Sequence, residues 1–337
     1  MIRAPQSPRP LTSPVSKRTR RTQVRVDHGH QDLRNPACGG SFTKGDAAIP
    51  DVRPPTMSLD RANQESSRPG TYREIAPSAR LRDHVECFWH RAAGAARSDA
   101  WILPDGCVDV IWVGDLPPFI AGPATLATMA EAAAGAEVVG VRFRPGVAPH
   151  LLGVSADELL NQHVPLRAIW SHDRAAGWLD AMARPTLDEK LDGVSELIMA
   201  RVATGDERDA FARRVVTWIA SHPRGNVDEL AQICGVSERQ LRRRFDQSVG
   251  YGPKTLQRIL RLQRLLWLAR GGEHASPHLA RLAIAAGYAD QPHMTRETVV
   301  LTGATPRQLL LGARRDSAVS ELFKTTEAHD TTLTLPR

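Results

Sequence analysis

Residues 226–250, NVDELAQICGVSERQLRRRFDQSVG, constrain the fold more than any other stretch of the chain. Two short helices fit them, joined at Gly235-Val236-Ser237. Asn226 suits the N-cap of the first helix, with Glu229 placed to complete a capping box, and Ser237 and Gln240 repeat the device for the second. Gly235 suits the left-handed residue that ends a helix. Leu230, Ile233, Val236, Leu241 and Phe245 form the apolar set that packs the pair. At about 100° per residue, Leu241 and Phe245 share one edge of the second helix and Arg243 points away from it. Arg239 and Gln240 flank Arg243, Arg242 lies nearer one edge, and Arg244 nears the core boundary. Such a face matches a DNA major groove, where Arg grips guanine O6 and N7 and Gln grips adenine. A solvated Arg-rich helix is the bland alternative; the two caps at helix-turn-helix spacing favour DNA.

Charge divides the 337-residue chain in the same sense. Residues 211–315 hold 17 Lys/Arg against 7 Asp/Glu, a net +10, whereas residues 71–210 hold 13 against 20, a net −7. The basic part suits a polyanion and the acidic part avoids one. Four cysteines, Cys38, Cys87, Cys107 and Cys234, form no CxxC pair and are too few for a disulfide framework, which fits a reducing, cytoplasmic setting. No apolar run reaches membrane-spanning length and no signal peptide is evident, so no membrane partner is expected.

Four segments follow: a disordered extension over 1–70, an α+β sensor or regulatory domain over 71–203, an all-α DNA-binding domain over 209–315 and a disordered tail over 316–337. Lys17-Arg18-Thr19-Arg20-Arg21 fits a DNA-grasping arm, although a solvated tail is the simpler reading. Met57, just ahead of the first patterned segment, is an alternative start. In the α+β part, residues 81–89 have helical or strand spacing, 107–113 (CVDVIWV) are a buried strand, and 119–122 and 138–143 are further strands. Pro104-Asp105-Gly106 and Arg144-Pro145-Gly146 are turns. Residues 147–152, 156–160 (capped by Ser155), 187–202 and 209–220 are helical, and 203–208 form a polar joint. A long helix over 254–269 follows the first motif, with Arg258, Arg261 and Arg264 at three-residue intervals. It ends at Gly271-Gly272. A second helix-turn-helix follows: residues 277–286 with Ser276 as N-cap and Pro277 at N1, a turn at Gly287-Tyr288-Ala289-Asp290, and residues 291–301 capped by Asp290.

The segment 227–310 resembles the double helix-turn-helix domain of AraC/XylS-type transcription regulators. The likeness rests on ELAQICGVSERQLRRRFDQSVGYGPK and on GYADQPHMTRE followed by LTGATPRQL. Residues 72–170 look like a sensor-side domain of one subgroup, on FWH, ILPDGCVDVIW and VGVRFRPGVAPHLLGV. The resemblance implies two recognition helices in successive major-groove segments about 34 Å apart. By position, Arg239, Gln240, Arg242 and Arg243 contact bases in the first repeat, and Gln291, His293 and Arg296 in the second. Lys254, Arg258 and Thr295 are placed for phosphates. The partners implied are double-stranded DNA, a small-molecule effector, RNA polymerase and a second copy of the chain. No cofactor, metal or catalytic residue is expected. One departure stands out: the family usually carries a large aromatic where Thr298 stands, a loss of about 2–4 kcal/mol of packing unless Val299 or Val300 repacks.

Other constellations have ordinary explanations. His84, Cys87 and His90, with Cys107, are spaced like metal ligands but sit in an apolar segment. Asp105 and Asp109 fit a turn-former and a strand-end acid better than a carboxylate pair. Trp89, Trp101 and Trp112 line either a core or an effector pocket. Arg142 and Arg144 alternate onto one face, which reads as solvated and otherwise as an anion site. There is no phosphate-cradling loop, and Gly153-Val154-Ser155-Ala156-Asp157 lacks the closing glycine of a nucleophile elbow. A DNA repair or modification enzyme with a reactive cysteine or bound zinc is the rival reading. A ligand-free architectural DNA binder is the third.

Overall fold

The structure is a computed structural model that describes residues 71–94, 98–203, 207–270 and 279–315. The segments 1–70 and 316–337, the basic arm at 17–21, Met57, Gly271-Gly272 and the Ser276-Pro277 cap lie outside the described residues.

β1 (Thr71–Ile75), β2 (Val85–Ala92), β4 (Val108–Val113), β5 (Phe119–Ala121), β7 (Glu137–Phe143) and β8 (His163–Pro165) make one antiparallel sheet in the order β1-β2-β7-β4-β5-β8. β3 (Ser98–Ile102) and β6 (Thr128–Ala132) pair apart from it as a ribbon. Alternation along the strands gives the sheet two faces. Phe88, Val110, Trp112, Val141 and Phe143 point to one of them. That face is covered by α1 (Ala148–Leu152), α2 (Leu166–Ile169), α3 (His172–Met182) and α4 (Leu187–Val202), through residues such as Leu151, Leu166, Trp178 and Val194. Trp112 stacks on Trp178 at 5.9 Å, and Trp170 donates its indole N–H to the Leu152 carbonyl at 2.6 Å.

The opposite face carries charge, and this charge is buried rather than solvated. Strand register sets Cys87, Arg142 and Asp109 side by side across β2, β7 and β4. Arg142 is only 7 % exposed, so the reading of a solvated strand face is corrected. Its Nε and Nη2 donate to Asp109 at 3.0–3.3 Å. Asp105 stands at 3.4 Å and Glu74 at 4.0 Å. Trp89 lies across Gly140, where a Cβ would come within 2.2 Å of the ring, and donates its indole N–H to Asp109 at 3.0 Å. Arg144 turns instead to Glu86 at 2.8 Å. Trp89 and Trp112 are thus buried on opposite faces of the sheet and do not line one pocket.

The metal-like spacing disperses as well. His90 meets Glu137, His84 faces Arg213 and Cys87 joins the Arg142 row. Among the described residues no three His, Cys, Asp or Glu side chains stand together so as to hold a metal. Burial pushes the thiols of Cys87 and Cys107 up, the reverse of what a reactive thiolate needs.

The rest is helical: α5 (Glu207–Ser221), α6 (Val227–Ile233), α7 (Glu238–Val249), α8 (Pro253–Arg270), α9 (Leu279–Ala286), α10 (Gln291–Thr302) and α11 (Pro306–Arg315). α6 and α9 end in the same way. Gly235 (φ 65°) and Gly287 (φ 96°) take the left-handed conformation, and the next N–H bonds back to Ala231 and Ala283 respectively. This double closure satisfies carbonyls that the helix end would leave bare. α6 departs from expectation in one detail: the Asn226 side chain accepts from Asp228 N, so Glu229 closes no capping box. None of the described helices is long and apolar enough to cross a membrane.

The two parts touch through a short list of contacts. Leu103 is buried in the helical core beside Leu256, and Gln263 donates to the Pro104 carbonyl at 2.7 Å. Gly106 abuts Leu256 so closely that a Cβ would come within 2.9 Å of it. Ala127 N donates to the Leu301 carbonyl at 2.8 Å. Ser155, expected as a cap, makes no capping bond to the 3-10 turn Ala156–Leu159 and donates to the Gln247 carbonyl on α7 at 3.1 Å.

Two outcomes follow from the buried charges. Glu297 on α10 accepts from Arg261 at 2.8 Å, and Arg261 is 7 % exposed. Glu297→Ala strands that guanidinium and lowers stability by about 3–5 kcal/mol; thermal melts of Glu297→Ala and Glu297→Gln test this, and an unchanged melting temperature for both refutes it. Burial raises the pKa of Glu74, so the folded chain holds this proton more tightly than the unfolded one. The cost of ionising it is present above the raised value and vanishes as pH falls below the ordinary carboxylate range. Glu74→Gln therefore raises the melting temperature at pH 7, and the gain closes on acidification; a pH-independent difference contradicts this origin.

Candidate nucleic-acid interface

α7 is held by its ends and one edge. Ser237 accepts from Gln240 N while the Gln240 carboxamide accepts from Ser237 N, a closed capping box. Gly250 (φ 94°) ends the helix and sits against Pro123 and Ala156, leaving no room for a Cβ. Leu241 and Phe245 are fully buried and Val249 nearly so. With that edge inward, Arg239, Arg242 and Arg243 are exposed and line a shallow groove along the outer surface. Arg244 is turned aside, its guanidinium 5.3 Å over the Phe211 ring. Gln240 is exposed, but its Oε1 serves the cap at 3.1 Å. A bidentate grip on adenine needs both ends of the amide, so the cap competes with that role.

α10 repeats the plan with other chemistry. Asp290 caps it by accepting from His293 N, as Ser237 accepts from Gln240 N. Counting from the caps, Arg239, Gln240, Arg242 and Arg243 correspond to Pro292, His293, Thr295 and Arg296. Gln291 and Arg296 are exposed, and with Pro292 and Thr295 they line the groove on this helix. His293 is engaged on both nitrogens: Nδ1 accepts from Ala289 N at 3.2 Å and Nε2 meets Glu297 at 3.2 Å. Arg258 also lies against Glu297, at 3.5 Å. Glu297 thereby draws in two of the groups that sequence position assigned to DNA. Thr295 hydrogen-bonds the Gln291 carbonyl, and Lys254 is exposed at the start of α8.

The Thr298 position is not repacked by its neighbours. Thr298 is fully buried and Val300 is 56 % exposed. Tyr288 and Met294, both fully buried, fill the core there with Leu265 and Ala283. Tyr288 brings an aromatic ring to this core from the turn.

α8 and the loop after α5 fix one motif relative to the other. Gln257 donates to the His222 and Gly225 carbonyls at 3.2 and 3.0 Å, and Arg261 to Pro223 at 2.9 Å. Arg224 donates to the carbonyls of Gly287 and Tyr288 in the second turn. The sequence marked Arg261 only by its spacing, and nothing in the pattern marked Glu297. α11 opens on a closed capping box between Thr305 and Gln308, for which Thr-x-x-Gln is the sequence signature. The sheet part contributes a wall as well: Asp157 borders the α7 groove beside Arg239, Arg242 and Arg243. The arginine face itself stays open.

Residues 73–165 match the family model "Domain of unknown function (DUF6597)", and residues 230–312 match a "Helix-turn-helix domain". No curated protein matches the chain. Among solved structures, ToxT from Vibrio cholerae is similar at 10 % identity over 72 % of this chain and 98 % of that one, with a TM-score of 0.37. The unsaturated fatty acid-bound ToxT of V. cholerae strain SCE256 gives 9 % identity over 73 % and 96 %, with a TM-score of 0.38. Scores this low carry no argument about ligand or mechanism. The helical part is an AraC/XylS-type helix-turn-helix domain, placed behind an amino-terminal domain of a family with no assigned function.

Proposed function

We propose that the chain is a sequence-specific transcription regulator of the cytoplasm, gripping duplex DNA through residues 209–315 and responding to a small molecule through residues 71–203. The observation that carries the first half is the set of three exposed guanidinium groups on α7, Arg239, Arg242 and Arg243, opposite a fully buried edge. These side chains read bases in the first groove segment, and Gln291 and Arg296 in the second. Lys254 contacts phosphate. Gln240, His293 and Arg258 support the reading helices through caps and bonds, and add to DNA contact only where those bonds give way, while the Thr295 hydroxyl is held by the Gln291 carbonyl and leaves its methyl free.

The second half draws on the contacts between the parts. The loop carrying Asp105 touches Arg142 on one side and the α8 helix on the other, through Pro104 and Gly106. A ligand that changes the sheet face changes this loop, and so shifts the balance of DNA-competent arrangements by its differential affinity for them. A second copy of the chain and RNA polymerase complete the expected partners. The rival enzyme reading needs an activated thiol or a bound zinc, and burial acts against activation of both Cys87 and Cys107.

Titrating a selected duplex at fixed salt tests the reading. Arg243→Ala weakens specific binding by about 1–3 kcal/mol, more than Arg296→Ala, because Arg243 stands among two further arginines that position it on the groove. Equal losses refute the ranking. Wild-type affinity that does not fall with rising salt refutes DNA binding through these cations.

A further inference from the structure

We infer that the two reading helices take opposite kinds of base pair, α7 guanine-bearing and α10 thymine-bearing, so that the binding site is chemically asymmetric. This rests on the DNA-reading proposal above and names the sequence class that it recognises.

The two helices start from equivalent caps, so their outward positions can be compared one by one. Where α7 presents Arg239, Arg242 and Arg243, α10 presents Pro292, Thr295 and Arg296. An exposed guanidinium matches O6 and N7 of guanine bidentately, and α7 offers three, of which Arg242 lies 3.9 Å from Asp246. On α10 two of those three positions carry an apolar ring and a methyl-bearing side chain. Val300 adds another exposed apolar group, at 56 % exposure, a turn further on. Apolar groups at a major-groove edge recognise the C5-methyl of thymine, the one base-edge feature that is not a donor or acceptor. Gln291, exposed at the first turn, has the amide that pairs with adenine.

The neighbourhood of α10 reinforces the contrast. Arg258 and His293, both candidates for DNA contact by position, are drawn to Glu297, at 3.5 and 3.2 Å. Glu297 is itself held by the buried Arg261. Arg296 is left as the exposed guanidinium of this helix. α10 therefore brings little charge to the groove and reads mainly by shape and methyl contact.

The experiment uses the full chain. Duplexes bound from a random pool are sequenced, and the best site is remade with single thymine-to-uracil changes, each of which deletes one C5-methyl. Guanines are expected in one half-site and A·T pairs in the other. Uracil in the A·T half should weaken binding about 3–5-fold per contacted methyl, and uracil in the guanine half should leave it unchanged. The double variant Pro292→Gly/Thr295→Ser should erase this uracil sensitivity, and Thr295→Ser alone should reduce it while retaining the wild-type melting temperature. Guanine-rich halves on both sides, or no response to uracil in the A·T half, overturn the asymmetry while leaving DNA reading intact. A pool from which no sequence is enriched overturns both.

Discussion

A surface helix buries one edge, and the edge that α7 buries decides what it shows. Leu241, Phe245 and Val249 are taken up by the core, with Tyr251 and Leu256 beyond them. Rotating the helix by a third of a turn would expose apolar surface worth several kcal/mol and bury arginines at higher cost. The caps at Ser237 and Gly250 fix its length, and the close fit of Gly250 against Pro123 and Ala156 fixes its axial position. The direction of Arg239 and Arg243 is therefore a consequence of packing rather than a free choice of flexible side chains. Everything said about DNA descends from that constraint.

Arginine serves three purposes in this chain, and solvent exposure separates them. Arg142 and Arg261, each 7 % exposed, are structural. Each is matched by a carboxylate at about hydrogen-bond distance, Asp109 for the first and Glu297 for the second. A planar guanidinium with five donors suits such sites, since one group can tie a strand row or two helices together. Arg244 covers Phe211 and behaves as an apolar side chain with a charged tip. Arg239, Arg242 and Arg243 stay exposed, Arg242 at 3.9 Å from Asp246, so that a polyanion can reach their charge.

Local signals in the sequence were legible where they are local in the structure. The Ser237–Gln240 box, the Asp290 cap, the Gly235 and Gly287 turns and the strand at 107–113 all depend on residues within a few positions of one another. β6 was not legible, because TMAEA carries no β-branched run and its strand form comes with its pairing to β3. Arg142 was misread for a related reason. Alternation along one strand says that it shares a face with Arg144, but burial of that face depends on Asp109 and Trp89, which arrive from β4 and β2. In the site, outward orientation of the α7 arginines followed from the period of one helix. The diversion of Arg258 and His293 did not, since it depends on Glu297 meeting α8 across a tertiary contact. Thr298 likewise reads as a gap, since the aromatic ring of the nearby core, Tyr288, comes from the preceding turn.

Dimethyl sulfate reacts with guanine N7, which lies on the floor of the major groove, and so reports the contact at the centre of this account. Full-length protein bound to its selected duplex should shield guanine N7 within one half-site, with Arg239→Ala and Arg243→Ala each restoring reactivity at a distinct guanine. Unchanged N7 reactivity at saturation, with protection confined to adenine N3 in the minor groove, would contradict insertion of α7 into the major groove.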